Sequence, residues 1–135
     1  MVTIALIIFV AFGILMMTGL GLLTNRVPRP MNQQHFRNRW EELLSMVKSP
    51  EGMVLAVINA DKLLDEALKK RSFHGKTMGE RLVSAQRVLS DNDGVWYAHK
   101  LRNRLVHEHH ERLRPDEAKK ALAGLKQGLR DLGAL

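Results

Sequence analysis

An all-α protein, with one N-terminal transmembrane helix followed by an up-and-down bundle of four to five helices, is what three features of the sequence predict. From Val2 to Leu23 no side chain is ionisable. Beyond that stretch, apolar residues recur at three- and four-residue spacing, without the strict alternation of a half-buried strand. Serine, threonine and aspartate caps stand before the periodic stretches, and proline or glycine punctuates them.

The leader comes first in the chain. Only Thr3 and Thr18 interrupt its run of Ile, Leu, Val, Met and Phe. At about 1.5 Å per helical residue the run reaches roughly 30 Å, the thickness of a hydrocarbon core. A cleaved secretory signal would open on a positive residue, carry a shorter apolar stretch and end at a small-x-small site. Here no Lys or Arg precedes the run, and it continues to Asn25 and Arg26. A retained anchor over 1–24 is therefore expected, meeting the membrane through residues 2–23. Gly13, Gly19 and Gly21 do not make a small-xxx-small face, so self-association is expected outside the membrane.

Charge gives the orientation. Arg26, Arg29, Arg37 and Arg39 follow the leader with no acid among them, which places the N-terminus outside and the rest of the chain in the cytoplasm of a single-pass cell-membrane protein. Without these four arginines the net charge of +7 falls to +3, so the basic balance argues only weakly for nucleic acid. Cysteine is absent, which excludes disulfides, thiolate metal sites and a cysteine nucleophile. The length left after the leader suits one small domain.

A linker over 25–31, broken by Pro28 and Pro30, leads to that domain at 32–135. The first helix is expected from Asn32 to Val47, with Phe36, Trp40, Leu43, Leu44 and Val47 on one face. Ser49 before Pro50 opens a second helix, ending near Arg71, that turns Val54, Val57, Ile58, Leu64 and Leu68 toward the core. Thr77 and Glu80 form a capping box for a third, which carries Leu82, Val83, Val88 and Leu89 and stops before Asn92. Asp93 is the expected cap of a fourth, from Gly94 to about Glu111. Pro115, Asp116 and Glu117 open the last, with Ala118, Leu122, Leu125 and Leu129 in register and Gly133 as its stop.

The fourth helix holds the residues with chemical potential. Four of the six histidines of the chain lie between Val95 and Glu111. At 100° per residue His99, Asn103, Val106, His107 and His110 fall along one side, with Arg102 flanking them. Trp96, Leu101 and Leu105 anchor the other side.

Arg102, Asn103 and His107, within Ala98-His-Lys-Leu-Arg-Asn-Arg-Leu-Val-His-Glu108, resemble the signature of the HEPN domains (higher eukaryotes and prokaryotes nucleotide-binding): an arginine, a polar residue after it, and a histidine after four intervening positions. Arg104 and His109 share the spacing, but Leu105 follows Arg104, so the Arg102 pair fits better. The resemblance covers roughly the domain and leaves the leader outside it. It implies an up-and-down HEPN-like bundle and a metal-independent endoribonuclease with Arg102, His107 and Asn103 as catalytic residues. His99, Lys100 and Arg104 are weaker candidates for substrate binding. No cofactor and no metal are implied. The expected partners are RNA or a nucleotide and a second copy of the chain, docked through this helix; an antitoxin would be unknown in kind. The resemblance also leaves open a non-catalytic nucleotide- or RNA-binding or dimerisation module.

The chemistry suits these residue types. RNA carries its own nucleophile in the 2′-hydroxyl, and attack on the adjacent phosphate gives a 2′,3′-cyclic phosphate and a 5′-hydroxyl. A histidine exchanges protons near neutral pH. An arginine keeps its charge and matches phosphate oxygens with a fork of donors. Asn103 would orient either partner.

Other signals carry less. His107-Glu-His-His-Glu111 departs from the zinc-protease pattern because position 111 is Glu. Gly75-Lys76-Thr77 lacks the earlier glycine of a phosphate-binding loop, since position 70 is Lys, and reads as a turn and cap. Asp61 and Asp65, one turn apart, read as solvated charges or as partners for the basic fourth helix. Trp40 and Trp96 read as core.

Overall fold

The computed structural model describes residues 1–24, 30–108 and 112–135, with the side chains of 19–24 outside the description. Within it the chain forms α1 (Val2–Thr24), α2 (Gln33–Ser45), a 3-10 turn (Met46–Lys48), α3 (Pro50–Lys70), α4 (Met78–Ala85), α5 (Asn92–His107) and α6 (Pro115–Asp131), and no strand occurs among the described residues. The all-α class is as the periodicity predicts.

Along α1 the side chains from Val2 to Met17 are exposed on every side, including Ile4, Leu6, Phe9 and Phe12. Among the described residues no helix is long and apolar enough to cross a membrane. The expected span runs on through 19–23, where side chains are not described.

The bundle is built around α3, which touches all four of its helical neighbours. Ala56, Ala60 and Ala67 keep its surface low at the crossings, and Val57, Leu63, Leu64 and Leu68 fill the gaps. Ser49 caps it, its Oγ accepting from Gly52 N at 3.0 Å, with Pro50 in the first turn as expected. Val54 and Ile58 are only half-buried. The helix ends in a Schellman turn: Phe73 N donates to Leu68 O and Ser72 N to Lys69 O, with Ser72 at φ 60°. From α2, Phe36, Trp40 and Leu43 enter the core while Leu44 stays outside. Val47 belongs to the following 3-10 turn.

Two expectations need correction. The capping box at Thr77 and Glu80 is present, but α4 stops at Ala85, and Val83 and Val88 are exposed. Its inward face is Met78, Leu82 and Ala85, continued by Leu89, and Val83 and Val88 lie on the other side of that register. The start of α5 falls two residues before the expected one, because Asp91 rather than Asp93 supplies the cap, accepting from Gly94 N at 2.9 Å. The helix stops at His107, and the expected continuation through His109, His110 and Glu111 lies outside the described residues.

The helices α5 and α6 approach each other closely. A Cβ placed on Gly124 would stand 2.5 Å from the carbonyl oxygen of Gly94, and one on Gly128 would touch Leu64 and Val95 at 3.2 Å. Two glycines four residues apart thus let the backbones come together. A second Schellman turn ends α6 at Gly133, φ 74°, where Arg71 Nε donates to Leu132 O at 2.7 Å and Gln33 Nε2 to Gly133 O at 3.1 Å.

Candidate functional site

His99, Arg102 and Asn103 stand three and four residues apart, so one turn of α5 presents all three on the same side. That side faces α3, and opposite it lies Asp61, only 2% exposed. A bare carboxylate so deep costs several kcal/mol unless partners replace its water. Two partners do so. His99 Nδ1 lies 3.0 Å from Oδ1 and 3.3 Å from Oδ2. Arg102 Nε lies 3.6 Å from Oδ2, close enough for an ion pair but too long for a hydrogen bond, and this buried nitrogen has no hydrogen-bond partner. The far end of the same guanidinium is turned to Asn103, with Nη1 donating to Oδ1 at 3.0 Å.

These groups line an open groove of about 480 Å³. Asp61, Lys62 and Asp65 form its α3 wall, Thr77, Met78 and Gly79 contribute the start of α4, and His99, Arg102 and Asn103 the α5 wall. The ring of Trp96 meets His99 edge-on, with centroids 6.0 Å apart, and backs onto Gly79, where a Cβ would touch the indole at 3.6 Å. This fixes the imidazole from behind while Asp61 fixes it from below.

In the α3 wall of the groove, Asp65 is paired within the bundle. Burial alone would raise its pKa, but hydrogen bonds from Arg81 and Lys69, and their charges, hold the carboxyl below its ordinary value. Arg81, itself 7% exposed, also donates through Nη1 to Gly75 O at 2.7 Å. The Asp65 charge is therefore spent on Arg81 and Lys69, and Arg102 and Lys62 remain as the cationic side chains of the groove.

The sequence-predicted residues divide accordingly. Arg102, Asn103 and His99 meet in the groove. His107 is the last residue of α5, exposed and outside the groove lining. Lys100 and Arg104 are exposed on α5 and outside that lining as well. Among the described residues no three His, Asp or Glu side chains gather as metal ligands, and His109, His110 and Glu111 lie beyond them.

The anchor of the site is Asp61, which sequence reading placed among solvated charges or partners of the fourth helix; the second of these is what the structure has. Its position was signalled: Val57, Asp61, Leu64 and Leu68 repeat at the spacing of an inward face, so a carboxylate stands where a core residue belongs. Arg81 was missed altogether, although it too falls on the inward side between Met78 and Ala85. Trp40 is core, 5% exposed, and Trp96 is half-buried. No family model matches the chain, and no characterised protein and no solved structure is similar to it at a significant level.

Proposed function

We propose that the chain is a membrane-anchored, HEPN-like, metal-independent endoribonuclease that acts through Arg102 and His107, with Asn103 orienting the arginine. The observation that carries this reading is the setting of Arg102. Its guanidinium is held at the mouth of a groove by a buried carboxylate on one side and Asn103 on the other, which leaves its Nη2 edge without a partner among the described residues. A guanidinium fixed in this way meets a phosphate without losing the freedom a surface arginine would lose. His107 lies five residues further along α5, exposed at its end, where a second copy of the helix can bring it to a neighbouring groove. The homodimer belongs to the same reading, and a shared membrane raises the effective concentration of the two copies.

The anchor is supported by α1 itself. Over 23 residues it measures about 34 Å at the helical rise, and its sequence contains no ionisable side chain. Its described side chains are apolar on all sides and unpacked, a surface that water disfavours and lipid accepts. The arginines at 26, 29, 37 and 39 support an orientation with the bundle on the cytoplasmic side of the cell membrane.

The test is cleavage of structured and unstructured RNA by the full chain in detergent micelles with excess chelator, beside Arg102→Ala and His107→Ala. Cleavage leaving 2′,3′-cyclic phosphate ends, lowered about a hundredfold or more in both variants, is the expected result. A folded parent that cleaves nothing would leave the groove as the site of a non-catalytic nucleotide-binding module.

A further inference from the structure

His107 is the histidine of the motif, but the groove beside Arg102 contains a different one. His99 has a side chain 12% exposed, lies in the groove wall, and is bonded at Nδ1 to a carboxylate that is itself almost wholly buried. An ionised carboxylate only accepts, so Nδ1 carries the hydrogen of this contact, and in the neutral ring Nε2 keeps its lone pair. Among the described residues Nε2 makes no hydrogen bond. The charged neighbours of the groove are Asp61, Lys62 and Asp65 on α3 and Arg102 on α5; the start of α4 adds only Thr77, Met78 and Gly79. Asp65 is engaged by Arg81 and Lys69, so Asp61 is the acid that acts on His99.

We infer that His99 is a catalytic residue, the base that takes the 2′-hydroxyl proton, and that Asp61 is its positioning residue. The inference rests on the ribonuclease reading of this groove and adds a second histidine to it. In the step, the 2′-OH gives its proton to His99 Nε2 as the O2′–P bond forms. The P–O5′ bond breaks, and the leaving oxygen takes a proton from the imidazolium of His107. Arg102 faces the phosphorane oxygens. The two histidines end with their protonation exchanged, and water resets both.

Two features favour this over a purely structural His99. A strut needs only one hydrogen bond and no cavity, yet this ring borders open volume next to Arg102. The same carboxylate also approaches Arg102, so a single buried anion sets the tautomer of a base and the position of a phosphate-binding cation together.

The experiment compares the full chain in micelles with its His99→Asn, His99→Ala, Asp61→Asn and His107→Ala forms, in excess chelator, across pH. The amide introduced by His99→Asn can still donate to Asp61, so a structural role survives that substitution while proton transfer does not. The expected result for His99→Asn is a melting temperature near that of the parent, kcat lowered about a hundredfold with KM little changed, and loss of the rise in rate with pH on the acidic side. Asp61→Asn, which no longer imposes the tautomer, lowers kcat in the same direction. In His99→Ala, added imidazole restores part of the rate. The inference is overturned if His99→Asn keeps the parent rate and pH profile while His107→Ala is inactive, which leaves the nuclease reading standing. It is equally overturned if the lost rate tracks an early melting transition and imidazole returns none of it. A parent that cleaves no RNA removes both readings.

Discussion

Arg81 grips Asp65 with two parallel hydrogen bonds, Nε to Oδ1 at 2.7 Å and Nη2 to Oδ2 at 2.9 Å, and so locks α4 onto α3. Both partners are largely buried, and removing one strands the other's charge. Arg81→Ala is expected to cost about 3 kcal/mol or more, read as a fall in the denaturant midpoint. The pair also gives a pH signature. The folded pKa of Asp65 lies below its ordinary 3.8, so the unfolded chain binds the proton first as pH falls. Its contribution is complete above about pH 5 and is lost as pH drops through the folded value. Parent stability should therefore decline steeply below pH 4, and that part of the decline should be absent in Asp65→Asn.

Ser72 occupies the left-handed position of the turn after α3, at φ 60°. A side chain there costs about 1 kcal/mol that glycine does not. Ser72→Gly is expected to raise the melting temperature by a few degrees; a lower melting temperature would mean that the serine side chain contributes more than its backbone strain costs.

Gly79 and Gly124 should respond in opposite ways to the same substitution. At Gly124 the new methyl would meet the Gly94 backbone at 2.5 Å, and Gly124→Ala is expected to cost about 2 kcal/mol or more by pushing α5 off α6. At Gly79 the methyl meets only the Trp96 ring at ordinary contact distance, and Gly79→Ala is expected to be neutral or to stabilise by up to about 1 kcal/mol. Thermal unfolding of the two variants side by side checks both.

If the working cleft takes Arg102 from one copy and His107 from the other, mixing the inactive Arg102→Ala and His107→Ala proteins should restore RNA cleavage. The mixed dimer then holds one intact cleft. No recovery on mixing would place both groups of a cleft on the same copy.

Local chemistry was the most legible part of the sequence. Ser49 with Pro50, Thr77 with Glu80, and Gly133 sit at the helix boundaries that their side chains or backbone freedom require. The inner face of α4 was less legible, because in an eight-residue helix a small error in register moves Val83 and Val88 from inside to outside. The start of α5 was ambiguous because Asp91 and Asp93 are chemically equal as caps; only the Gly94 amide, bonded to Asp91, decides between them. On α5, Arg102 and Asn103 were singled out through the resemblance to the HEPN signature, whereas the bond of His99 to Asp61 was not foreseen. Asp61 stands thirty-eight residues earlier in the chain, and no pattern within one helix reveals a partner on another.

The hydrogen bonds from Gln33 to Gly133 and from Arg71 to Leu132 bring the first turn of α2 and the last of α6 to one pole of the bundle. Both ends of the domain therefore leave from the same place, which makes the bundle a natural candidate for circular permutation: a short peptide could join Leu135 to Met31 with little rearrangement. A fluorescent fusion at Leu135 would sit at the pole of Gln33 and Gly133, and His107, at the far end of α5, would stay clear of it.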